Sequence, residues 1–129
     1  MARYAHPDVL FNGPAYIKAN CNKMALISAY TFGDSYATVN AAILAEVAMT
    51  TTDFTQGANG NNVTLTTASG KSDSAANASG GGATMHIAFL DTATSKVLWV
   101  TEETSDQTIT AGNPVNFQAL VYTANQPTA

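Results

Sequence analysis

Charge is what this chain has least of. Asp, Glu, Lys and Arg make up 11% of its 129 residues, where soluble domains carry roughly 25%. The basic residues Arg3, Lys18, Lys23, Lys71 and Lys96 are scattered and outnumbered by acidic ones, for a formal net charge of −4. That leaves no electrostatic footprint for a phosphate backbone, so no nucleic-acid partner is expected. Cysteine is nearly missing as well. Cys21 stands alone, which excludes an intramolecular disulfide and leans toward synthesis in a reducing compartment. Long apolar runs are missing too. No stretch approaches the roughly 18 residues of a membrane span, and the first eight residues carry no apolar run after their one basic residue. The reading is a soluble chain with no membrane partner and no export signal of its own.

Threonine, alanine and asparagine stand where the charges would be. A surface of that kind does little to keep identical copies apart, and its contacts depend less on salt than ion-paired ones. It suits a subunit that sits against neighbours, or simply a threonine-rich monomer. The length fits one domain, 1–129, able to bury a core without staples.

The strongest local pattern is Ala83–Thr101. Two strand-forming runs, Ala83–Leu90 and Val97–Thr101, flank the polar connection Asp91–Lys96, which predicts a β-hairpin. The period of two puts Met85, Ile87 and Phe89 on one face and His86, Ala88 and Leu90 on the other. Val97 and Trp99 oppose Leu98 and Val100 in the same way. Both faces are apolar, so both must be covered, by the domain itself or by an assembly.

Around the hairpin, Met1–Cys21 reads as an arm followed by a short helix, with Asn12 as N-cap and Pro14 in the first turn. Tyr4, Val9, Leu10 and Phe11 are too apolar for a free tail, so the arm should dock on the domain or on a partner. Lys23–Tyr30 reads as a buried strand. A helical turn near Ser35–Asn40 precedes a strand from Ile43 to Thr50. The Asn59-Gly60 turn leads into the alternating Val63–Thr67 strand. Ser69–Gly82 is loop by composition, with a short edge strand near Ser72–Ala76. Thr104–Thr110 and Val115–Tyr122 are the last two strands. Seven to eight short strands with turn signals every eight to twelve residues and a short N-terminal helix predict an all-β fold, a β-sandwich of jelly-roll type.

No constellation in the sequence assembles a reaction. Gly70-Lys71-Ser72 resembles the tail of a phosphate-binding loop, but Leu65 stands where that motif needs glycine. His86 sits in an apolar strand, where a lone histidine is usually a hydrogen-bonded core or interface residue, and neither His6 nor the carboxylates fall at metal-ligand spacing from it. If buried, its charging would weaken packing below about pH 6. Glu102 and Glu103 are adjacent on a strand, so they point to opposite faces and cannot act as an acid–base pair across a substrate. Cys21 has no neighbouring histidine, and no serine sits in a Gly-x-Ser-x-Gly elbow. Asn62-Val-Thr and Asn77-Ala-Ser match the glycosylation pattern, as an Asn- and Thr-rich chain does by chance. Trp99 with the tyrosines could form a carbohydrate platform, although a Trp between Leu98 and Val100 is more often core. No catalytic residue, cofactor or metal is expected.

The opening Met1-Ala-Arg-Tyr-Ala-His-Pro-Asp-Val-Leu, with Asn12-Gly13, Tyr16-Ile-Lys and Asn20, resembles the start of a group of small virion proteins of tailed bacteriophages. Asp53-Phe-Thr, Thr84-x-His86-Ile-Ala, Leu98-Trp-Val-Thr and Thr108-Ile-Thr-Ala-Gly are similar to that group in order and spacing. Phe11, Pro14 and the long Ser72–Gly82 loop depart from it. The resemblance implies a head decoration, or cement, protein: a β-sandwich made in the host cytoplasm that binds the outer capsid surface and ties major capsid subunits together. Its expected partners are the major capsid protein and other copies of itself, with Arg3, Tyr4, His6, Val9, Leu10, Phe11 and His86 as contact residues. Two other readings stand beside it, a carbohydrate- or receptor-binding module on a spike or fibre and a minor head or tail-completion protein.

Overall fold

The computed structural model describes residues 4–5, 13–59, 62–103 and 108–124. The chain has an all-β, sandwich-like fold built on the expected hairpin. Its main sheet contains β1 (Tyr4–Ala5), β2 (Lys23–Ile27), β3 (Ile43–Ala48), β8 (His86–Asp91) and β9 (Lys96–Glu102), in the order β1-β9-β8-β2-β3. A smaller sheet contains β4 (Phe54–Asn59), β5 (Asn62–Thr67) and β12 (Val121–Ala124), in the order β12-β5-β4. Two short ladders join the loops, one of β6 (Lys71–Asp73) with β11 (Val115–Phe117) and one of β7 (Gly80–Gly81) with β10 (Thr108–Ile109). All described pairings are antiparallel.

The central hairpin turns on local chemistry. The Asp91 carboxylate accepts hydrogen bonds from the backbone N–H of Ala93 at 3.1 Å and the Thr94 hydroxyl at 2.8 Å. Asn22 braces the same turn, donating to the Thr92 hydroxyl and accepting from the Thr92 N–H. These bonds satisfy an aspartate that is buried at the head of β8. Ser95 takes the left-handed conformation, φ 56°, that lets the chain re-enter β9.

Both faces of the hairpin are covered within the chain. On one side, Met85, Ile87, Phe89, Leu98 and Trp99 pack with Met24 and Leu26 of β2, Phe54 of β4, Leu65 of β5 and Ile17 of the helix α1 (Pro14–Asn20). On the other, Ala88, Leu90, Val97 and Val100 pack with Ala25, Ile27, Tyr30 and Val39. Val39 comes from the helix α2 (Tyr36–Ala41), which Ser35 caps through its hydroxyl to the Thr38 N–H at 3.2 Å. The main sheet is therefore a middle layer, with the small sheet and α1 on one face and α2 on the other.

Strict alternation fails in β9. Phe89 pairs with Trp99, but Leu90 pairs with Val97, so Leu98 is an extra residue opposite the ladder. Leu98 and Trp99 then share one core while Val97 and Val100 share the other. The expected opposition of Val97 and Trp99 to Leu98 and Val100 is corrected by this bulge. A second bulge lies in β3, where Leu26 pairs with Ala45 and Ile27 with Ile43, leaving Leu44 extra. The C=O of Leu44 accepts from the N–H of Asn77 at 2.7 Å and of Ala78 at 3.2 Å. The Asp73 carboxylate accepts from the Glu46 N–H at 2.9 Å. The polar segment from β6 to Ala78 thus straps the edge of β3.

Other expectations need adjustment. Gly13, at φ 66°, is the N-cap of α1 in place of Asn12, and it makes no side-chain cap bond. The stretch Val115–Tyr122 is not one strand but two, in different ladders. The break is held at Leu120, whose N–H donates to the Thr67 hydroxyl and whose C=O accepts from the Thr67 N–H.

Candidate interaction surface

The expected contact residues divide by position. Tyr4 lies in β1, paired with Val100 at the β9 edge of the main sheet. Arg3, His6, Val9, Leu10 and Phe11 lie outside the described residues. His86 is 4% exposed within the single chain, so its side chain lies inside and not on a free face. Its Nδ1 is 2.8 Å from the Thr84 C=O. A carbonyl can only accept, so Nδ1 is the donor in this bond. The other ring nitrogen, Nε2, is buried and has no hydrogen-bond partner among the described residues. The Tyr30 ring lies 6.1 Å away, and Glu102 is the cross-strand neighbour.

The remaining chemical candidates are tied into structure. Trp99 is buried, stacked on Phe89 at 4.5 Å between ring centres and met edge-on by Tyr122 at 5.2 Å. It offers no sugar-stacking face. Burial pushes the Cys21 thiol up to about 12, which leaves no thiolate at neutral pH to act as a nucleophile. Lys71, in the sequence that resembles a phosphate loop, bonds instead to the Asp53 carboxylate at 3.2 Å. Among the described residues, no three His, Cys, Asp or Glu side chains converge as metal ligands. No helix among them is long and apolar enough to cross a membrane.

Asp53 supplies a pH-dependent element of stability. Burial raises its carboxyl, but the Thr50 N–H at 2.8 Å and the Lys71 ammonium together outweigh that and hold it below its ordinary value of 3.8. A carboxylate with a lowered folded pKa contributes stability above its unfolded value, and loses it as pH falls through the folded one. Asp53→Asn should therefore cost on the order of 1 kcal/mol at neutral pH, and the gap to the native chain should close below 3.8. Thermal unfolding of both proteins across an acid series measures it; a constant gap would remove Asp53 as the cause.

The outer face of the small sheet is an exposed surface. In the small sheet, Phe54, Leu65 and Thr67 are buried on the inner face. The period of two then puts Thr55, Gly57, Thr64, Thr66, Val121 and Thr123 on the outer face. The register lines them up across the strands as Thr55, Thr66 and Val121, then Gly57, Thr64 and Thr123. The face carries no charge, and Val121 is 55% exposed on it. A Cβ at Gly57 would sit 3.2 Å from the Thr64 hydroxyl, which would have to shift to make room for it. Two further large apolar side chains are exposed, Val63 on β5 and Phe32, at 72%, on the turn Thr31–Asp34. That turn closes through the Thr31 N–H to the Asp34 carboxylate at 2.8 Å, with Gly33 at φ 92°.

The sequence pointed to neither feature. The threonine alternation in Val63–Thr67 was its only trace, and the faces of β4 and β12 became visible once β5 had aligned them. Comparison with protein-family models, with curated proteins and with solved structures returns no match.

Proposed function

We propose that this chain is a virion structural protein of a tailed bacteriophage, a decoration protein that binds the outer surface of the capsid and ties neighbouring major capsid subunits together. The observation that carries the proposal is the uncharged, threonine-lined outer face of the small sheet. It is suited to association by surface burial, with contacts that resist changes in salt. The resemblance of the opening residues and of the hairpin motifs to small phage virion proteins supports it. Thr84-x-His86-Ile-Ala and Leu98-Trp-Val-Thr contribute to the two cores, so that part of the resemblance concerns the scaffold. Affinity would come from many copies engaged at once, each with a modest contact.

The test is cosedimentation of purified chain with capsids that lack it. Binding should saturate at a fixed ratio to the major capsid protein and should change little between low and high salt. Absence of binding overturns the proposal. Microscopy of the decorated particle separates the minor head or tail-completion reading, for which density would appear at one vertex only.

A further inference from the structure

We infer that β4 is an open sheet edge whose occupant is β4 of a second copy, the two strands pairing antiparallel about a two-fold axis beside Gly57. The first observation is the direction of the backbone. The Phe54 C=O accepts from the Lys18 ammonium rather than from β5, so it faces away from the sheet. By the period of two, the backbone groups of Gln56 and Ala58 face the same way. The register agrees. Asn59 and Asn62 are directly opposed across two intervening residues, which makes them a hydrogen-bonded pair, along with Gly57–Thr64 and Thr55–Thr66, and leaves Gln56 and Ala58 pointing outward.

The second observation is that nothing within the described residues takes up that edge at Gln56. Beyond its place in the β4–β5 ladder, Gln56 makes no hydrogen bond there, and its side chain is exposed. Proteins normally blunt such edges with a charge, a proline, a bulge or a covering segment. β3 is blunted in this way, by its bulge at Leu44, the Asp73 carboxylate and the backbone of Asn77 and Ala78. At β4 only the Phe54 end is met, by Lys18 of α1, and among the described residues none of these devices protects it from Gln56 onward. Its sequence, FTQGAN, holds neither charge nor proline, and its register with β5 runs unbroken from Phe54 to Asn59.

Self-pairing fits this edge better than a foreign strand. Placing Gly57 opposite its own copy sets Gln56 of each strand against Ala58 of the other, so their N–H and C=O groups bond reciprocally, and the symmetry closes the contact at two copies. The joined sheets extend the same uncharged face, and the low charge of the whole chain opposes the approach of two copies only weakly. The pairing buries less than the roughly 1,200 Å² of a stable free-standing interface, so its dissociation constant in solution should be about millimolar and it would be reinforced where copies are crowded together. The inference rests on the proposed function only for that crowding.

The test uses purified full-length chain without particles, so its failure leaves capsid binding standing. Up to about 1 mM, sedimentation equilibrium should show reversible dimerisation. Amide exchange at Gln56 and Ala58 should slow with concentration, while Thr55 and Gly57, already bonded to β5, should not change. Gln56→Pro removes an outward N–H without touching the β4–β5 ladder, and should weaken dimerisation by about tenfold or more. Gln56→Lys, which keeps every backbone group and adds like charges near the axis, should do the same. A chain that stays monomeric at that concentration, or that dimerises equally well with either substitution, overturns the inference.

Discussion

Phe89→Ala is expected to destabilise the protein by about 3–5 kcal/mol, the range for truncating a fully buried aromatic residue. Phe89 is 0% exposed, stacks on Trp99 and meets Phe54 of the small sheet with ring centres 6.3 Å apart. It is thus the side chain through which the hairpin touches both its own partner strand and the facing layer. Removing the ring leaves a cavity at that junction, and neither bulged β9 nor the α1 side can close it without breaking other contacts. Since single domains are held by only about 5–15 kcal/mol, the variant should lose a large part of its stability. Urea unfolding measures the effect as a shift in midpoint. A loss under about 1 kcal/mol would mean that the two sheets do not share a packed core at Phe89.

His86→Asp is expected to be as damaging, for a different reason. The Thr84 C=O, now bonded to the Nδ1 hydrogen, would face a carboxylate that can only accept. The new charge would be buried at a position 4% exposed, with Glu102 already across the ladder. An uncompensated buried charge costs about 3–5 kcal/mol. Far-ultraviolet circular dichroism should show a chain that is unfolded or melts far below the native protein. A variant that kept the native spectrum and melting temperature but failed to bind capsids would place His86 at an interface instead. His86→Gln, which keeps a donor for the Thr84 carbonyl, should be much milder.

The hairpin, both helices, the β5 strand and the all-β class were legible because short-range chemistry specifies them. β-Branched and aromatic runs and Pro14 beside a helix start act within a few residues. β4 was not legible, since Thr-Gln-Gly-Ala-Asn has little strand propensity of its own and is a strand because β5 pairs with it. The split of Val115–Tyr122 was hidden for a similar reason. Its two halves bury Val115 and Phe117 beside β6 and set Tyr122 against Trp99, and the break depends on Thr67, far away in sequence. The candidate surface was least legible. An uncharged composition says that such a surface exists, but only cross-strand register says which threonines share it.

The bulge at Leu98 bears on how the chain selects one pairing among several. A hairpin that is apolar on both faces has little to lose by sliding one residue, because every side chain that leaves one oily face arrives at another. With strict alternation, β8 and β9 would have near-degenerate alignments. The doubled residue breaks that degeneracy. With Leu98 and Trp99 on the same side, the stack on Phe89 and the pairing of Leu90 with Val97 are satisfied together in one alignment, and a slipped strand would turn the indole toward α2. The irregular position in the strand is therefore the feature that gives the hairpin a unique ground state.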